Sequence, residues 1–124
     1  MLFMRENHNN SYWGVNEYKN QKVKLFDNKN SYIIPSMNGN IKKMKNPFNL
    51  NIVHFKNLIH NYPNNKEPQT GFISYHILKD KYKDSDVILW GFTRKKGEEP
   101  ADWFHEKNYE LEYYKKNNIK NLPV

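Results

Sequence analysis

The apolar residues fall into short, separate patterns along the chain. Leu2, Phe3 and Met4 make a brief apolar opening that reads as a short strand. Residues 22–26 (KVKLF) alternate polar and apolar positions, as a half-buried strand does. Residues 27–30 supply a turn, and Tyr32, Ile33 and Ile34 predict a second strand ending at Pro35. Asn46-Pro47 then opens a predicted helix, because Asn caps well and Pro suits the first helical position. Phe48, Ile52, Phe55, Ile59 and Tyr62 follow at spacings of four and three, a core-facing stripe that Pro63 ends.

The pattern changes period twice more. From Thr70 a helix is predicted, with Ile73, Tyr75, Ile77, Leu78 and Tyr82 forming a broad apolar face. Asp84, Ser85 and Asp86 make a turn. Residues 87–90 (VILW) are a continuous apolar run, which predicts a strand inside a sheet with neighbours on both sides. Gly91-Phe92 leaves that strand, and the charged stretch 93–102 reads as a loop. A last helix carries Phe104, Leu111 and Tyr114 on one face and fades at Asn117-Asn118. Strands followed by helix, strand and helix predict one α/β layered domain over residues 1–124, with a mainly parallel sheet.

Composition narrows the partners. Hydrophobic residues are 37% of the chain and aromatics 15%, so Tyr, Phe and Trp must supply much of the core. A net charge of +7 favours anions: nucleic acid, an acidic membrane surface or a sugar nucleotide. The excess is almost all lysine, since Arg5 and Arg94 are the only arginines, and arginine-rich recognition of bases is not evident. The absence of cysteine excludes disulfides, thiolate metal sites and cysteine nucleophiles. No apolar run approaches the roughly 20 residues that cross a bilayer, and the N-terminal apolar stretch is too short for a secretion signal. The expected location is the cytoplasm, or the inner face of a membrane through a peripheral contact. His54 and His60 stand six apart, which does not match the i, i+4 pairing of a helical metal site. Asp84-Ser85-Asp86 fits a turn before a strand better than a metal motif, so no metal is expected.

Candidate chemistry concentrates between Glu67 and Glu110. Pro68-Gln69-Thr70-Gly71 would set unpaired N–H groups, a hydroxyl and a bare backbone at a helix start, where a phosphate or carboxylate can be held. His105 follows the next strand and loop, and imidazole changes charge near neutral pH, as general-base work requires. Taken singly, these have structural readings: a turn and helix cap, and a partly exposed histidine at a helix start.

The order Pro68-Gln69-Thr70-Gly71, then Val87 to Gly91-Phe92, then His105 with Glu110, resembles the C-terminal half of sialyltransferase-like glycosyltransferases. In that family a P-[ST]-T-G turn opens a helix, a strand ending in Gly-Phe follows, and a later H-x4-E carries the histidine that acts as base. The resemblance spans residues 67–116. It implies a Rossmann-like layered fold that transfers sialic acid from a CMP-activated donor to a glycan hydroxyl, with no metal or other cofactor. Gln69, Thr70 and Gly71 would hold the donor's phosphate or carboxylate, and His105 would take the proton from the acceptor. Glu110 completes the motif and is, with His105, a catalytic candidate that the resemblance implies. Five residues at about 100° each turn it about 140° from His105 around a helix. Either His105 therefore lies in the loop just before the helix, or Glu110 serves only to fix that helix.

Three departures from the family stand out. Gln69 occupies a position where the family has Ser or Thr. No aromatic-histidine motif lies between Phe92 and His105, although Asp102-Trp103 falls in that interval. The family's Gly-rich nucleotide-binding turn is absent; Arg5-Glu6-Asn7 reads as its tail, with Asn7 a donor-binding candidate, so the domain is expected to be incomplete at its N-terminus. Two other readings stay open: a non-catalytic remnant that binds an acidic sugar or a partner subunit, and a small basic nucleic-acid-binding protein. Nucleic acid is the least favoured partner.

Overall fold

The computed structural model describes residues 3–5, 28–35, 50–93 and 104–124. The chain divides into two compact units, Met1–Asn57 and Leu58–Val124. Among the described residues it is an α/β protein, and every strand pairing is parallel.

In the first unit, Phe3–Arg5 forms β1, Tyr32–Ile34 forms β2 and Asn51–Ile52 forms β3, in the spatial order β1-β2-β3. Phe3 sits opposite Tyr32, and their rings stack with centroids 5.5 Å apart. Ile33 and Ile34 point to opposite faces of β2, yet both are fully buried, as befits a β-branched central strand. A 3-10 turn at Asn28–Asn30 leads into β2, where a turn was expected.

The helix expected from Asn46 to Tyr62 does not form over its described part. Asn51–Ile52 pairs with Tyr32–Ile33 instead, and a 3-10 turn at Phe55–Asn57 follows. The side-chain amide of Asn51 donates to the Lys29 and Ser31 carbonyls at 2.9 and 3.1 Å, which holds this residue against the β2 entry. Strand pairing and the adjacent β-branched Ile52 and Val53 outweigh the helical period of the stripe. Phe55 and Ile59 are buried all the same. Asn46, Pro47 and Phe48 lie outside the described residues, as does the strand expected over 22–26.

In the second unit, Thr70–Lys81 forms helix α1, with Gly71, Phe72, Ile73, Tyr75 and Ile77 buried. Of the predicted face, Tyr82 falls just past the helix end and is exposed. Leu89–Trp90 forms β4 and pairs with Asn121–Leu122, here β5, which two residues are too few to announce in a sequence. Among the described residues, 87–90 do not form a strand with neighbours on both sides, contrary to expectation. Among the described residues β4 has β5 as its one neighbour, and Leu89 alone is buried while Ile88 and Trp90 are 55% and 71% exposed. Burial alternates along the run, so this is a strand with one face in the core and one outside.

Lys107–Lys116 forms helix α2, whose buried residues Lys107, Glu110 and Tyr114 recur three and four apart. It stops in a Schellman motif. Asn118 takes φ 54°, its N–H bonds to the Lys115 carbonyl, and the Ile119 N–H reaches the Tyr114 carbonyl at 2.9 Å. The sequence signal at Asn117-Asn118 thus has a physical cause, since Asn tolerates the left-handed conformation. Phe72 of α1 is 1% exposed and meets Tyr62, Tyr109, Tyr113 and Tyr114 with ring centroids 5.2–6.2 Å apart. Each such ring pair adds about 0.5–1.5 kcal/mol beyond the area it buries. This aromatic cluster joins α1 to α2. No helix among the described residues is long and apolar enough to cross a membrane.

Candidate functional site

Residues 62–69 and 104–110 are joined by a ladder of polar contacts that sets the geometry of everything near the start of α1. The Glu67 N–H donates to the Phe104 carbonyl at 3.1 Å, and the next pair runs the other way, with His105 Nδ1 2.6 Å from the Glu67 carbonyl oxygen. A carbonyl oxygen only accepts, so Nδ1 carries the hydrogen. In the neutral ring, Nε2 therefore holds the lone pair. His105 lies two residues before α2, in the loop and not on the helix.

Glu110 is 3% exposed and forms the second rung. Its Oε2 accepts from the Tyr62 hydroxyl at 2.5 Å and from the Gln69 N–H at 3.2 Å. The same Tyr62 oxygen accepts the Glu106 N–H at 2.7 Å. Glu106 pairs in turn with the Lys66 ammonium at 2.7 Å and takes a hydrogen bond from the Asn64 amide. Burial pushes the Glu110 carboxyl up from 4.5 to about 7, against the pull of Tyr62, Gln69 and Lys107. Burial, reinforced by the neighbouring Glu110 charge, pushes the Tyr62 phenol well above its usual range, so the hydroxyl stays a donor.

Above this ladder is a cleft of about 400 Å³. Gln69, Thr70 and Gly71 line it from the start of α1, Gly91 and Phe92 from the end of β4, and His105 and Lys107 from the start of α2. Gln69 stands at the cap position of α1 in an extended conformation, without a capping bond from its side chain. The first-turn N–H groups of such a helix have no partner within the helix. Phe92 is pinned from both sides of its backbone, because the Asn121 side chain accepts its N–H at 3.2 Å and donates to its carbonyl at 2.6 Å. Its ring rests on Gly71, where a Cβ would fall 2.0 Å from the nearest ring carbon. Gly91 turns the chain at φ 86°, a conformation glycine takes without strain.

No protein-family model, curated protein or solved structure matches this chain.

Four predicted site residues, Gln69, Thr70, Gly71 and His105, thus line one cleft. Glu110 is not on its surface; it lies buried and bonded to the Gln69 backbone. The two alternatives for the H-x4-E pair both hold geometrically: His105 precedes the helix, and Glu110 ties that helix to the turn before α1. Asn7 lies outside the described residues, with Asp102 and Trp103. Gly71 has a second reason to be glycine that the sequence did not disclose, the contact with Phe92. Lys107 and Tyr62 were missed. A lysine in a first helical turn normally reads as solvated, and Tyr62 read as the last residue of an apolar stripe. Asp84, Ser85 and Asp86 are an exposed turn, and no cluster of three or more His, Asp or Glu among the described residues could hold a metal ion.

Proposed function

We propose that this protein is a glycosyltransferase resembling the sialyltransferases, which moves sialic acid from a CMP-activated donor to a glycan hydroxyl. The observation that carries the reading is the meeting of Thr70, Gly71 and His105 on one cleft, although the histidine lies 34 or more residues along the chain. The donor's phosphate or carboxylate would sit at the first turn of α1, held by backbone N–H groups and the Thr70 hydroxyl. Lys107 on the same cleft adds positive charge. His105, with its Nδ1–H engaged by Glu67, would accept the acceptor's proton at Nε2 as the hydroxyl oxygen bonds to the anomeric carbon and CMP leaves. The chemistry needs no further cofactor in this scheme. Parallel pairing in both units supports a Rossmann-like layered fold, in which a helix start beside a strand end is the usual ligand position. The reading places the protein in the cytoplasm or at the inner face of a membrane.

The test is calorimetric titration with CMP and CMP-sialic acid, followed by a transfer assay on a panel of glycan acceptors. Binding of both nucleotides with transfer supports the enzyme. Binding without transfer favours a second reading, a non-catalytic relative that binds an acidic sugar or a partner subunit. That reading draws on the exposed apolar side chains of Ile88 and Trp90, which an interaction could cover.

A further inference from the structure

A buried carboxylate is bonded to a residue of the cleft lining, and carboxylate and cleft share the same positive groups. Glu110 Oε2 holds the backbone N–H of Gln69, the residue from which α1 starts, and Gln69 also lines the cleft. Lys107 lines the cleft and attracts the Glu110 carboxylate. An anion entering the cleft would therefore face the Glu110 negative charge across one backbone amide, and would compete for the Lys107 charge and for the positive end of α1.

We propose that anion binding in this cleft is coupled to proton uptake by Glu110, which acts as a proton-linked positioning residue between the α1 turn and the His105 loop. The proposal rests on reading the cleft as a site for an anionic sugar nucleotide, and it concerns how that site is regulated. Both donors that reach Glu110 among the described residues use Oε2, so the proton, taken from solvent, goes to Oε1. Protonation would leave the contacts of Oε2 in place. It would remove one negative charge from behind the helix start just as the ligand brings its own.

Glu110 faces groups from each element packed against it. From the 58–66 segment comes the Tyr62 hydroxyl, which remains protonated. From α1 come the Gln69 N–H and the helix start. From α2 come Lys107, whose charge favours the carboxylate, and Tyr114, whose phenol burial and then the Glu110 charge push up beyond any working pH. Glu106, one residue ahead of α2, is neutralised by Lys66. Glu110 itself, raised to about 7, is poised to change charge near neutrality. His105 lines the same cleft, so the test compares two proteins that differ only at residue 110.

CMP titrated into the wild type and Glu110→Gln at pH 7, in buffers of different ionisation enthalpy, counts the protons taken up. The wild type is expected to take up more than the variant, by up to about half a proton per CMP. Protons bound by CMP itself enter both counts, so the difference between the two proteins reports residue 110. CMP affinity should also fall more steeply from pH 6 to pH 8 in the wild type. Equal proton counts and parallel pH profiles would overturn the coupling while leaving the binding site intact. Failure of the wild type to bind CMP would instead end the sugar-nucleotide reading and the coupling with it. If Glu110→Gln does not fold, carboxyl 13C NMR of the wild type answers the same question. The Glu110 midpoint should rise by at least about half a pH unit on adding CMP, and an unmoved midpoint overturns the proposal.

Discussion

The Nδ1 atom of His105 lies 2.6 Å from the carbonyl oxygen of Glu67, three residues before the helix start that lines the same cleft. One hydrogen bond thus fixes the ring's tautomer and ties its position to the Pro68-Gln69-Thr70-Gly71 turn. The bond runs to backbone, so it survives any side-chain change at residue 67. Glu67→Ala should accordingly leave the His105 tautomer unchanged, with the Nδ1–H form seen in 15N–1H correlation spectra of both proteins. A switch to the other tautomer in Glu67→Ala would show that the side chain, and not the carbonyl, sets the ring.

Tyr62→Phe removes one oxygen that serves two partners, the Glu110 carboxylate and the Glu106 N–H. Leaving buried polar groups unpaired costs about 1–3 kcal/mol. The loss should be larger at pH 8 than at pH 5, because the carboxylate abandoned at the higher pH carries a charge. Urea denaturation at the two pH values measures it. Equal losses at both would mean that Glu110 does not titrate in this range.

Stability itself should report Glu110. Its folded-state carboxyl sits at about 7 against an ordinary 4.5, so the native protein holds this proton more tightly than the unfolded chain. The contribution is fully present below about pH 4.5, falls as pH rises through the window 4.5 to 7, and is lost above it. The shift corresponds to an order of 3 kcal/mol. Glu110→Gln imitates the protonated acid and should remove this slope, making the variant as stable as or more stable than the wild type at pH 8. Retention of the full slope in the variant would assign it to other groups.

Gly71→Ala places a methyl group where the Phe92 ring lies, and that ring, 40% exposed, must turn aside, so the change should destabilise by about 0.5–1.5 kcal/mol. Phe92→Ala opens that space. In the Phe92→Ala background the same change should be neutral or stabilising by up to about 1 kcal/mol, because Ala is the better helix former. Thermal unfolding of the four proteins gives the coupling. Additive losses would show that Gly71 is needed for a reason other than Phe92.

The start of α1 and the end of α2 were legible because each depends on a local conformational preference: Pro68 ahead of the helix, Asn118 in the left-handed region beyond it. Local patterns failed where a partner distant in sequence decided the outcome. The stripe through Ile52, Phe55 and Ile59 has good helical spacing, yet Ile52 joins β2, and nothing near it in sequence announces that pairing. Residues 87–90 looked uniformly buried because apolar composition does not say how many strands flank a strand. In the site, His105, Thr70 and Gly71 were legible as residue types in order. Lys107 and Glu110 were harder, since charged side chains usually mark a solvated face, and their burial at 3% exposure each follows from tertiary packing.

The most direct test of the account compares His105→Ala with the wild type in one transfer assay, alongside CMP affinity measured on both. The account predicts that the substitution removes transfer to the limit of detection while CMP affinity changes by less than about threefold, as expected for a group that acts on the acceptor's proton and not on the donor. Transfer that persists unchanged in His105→Ala would contradict the assignment of the base, and with it the central claim.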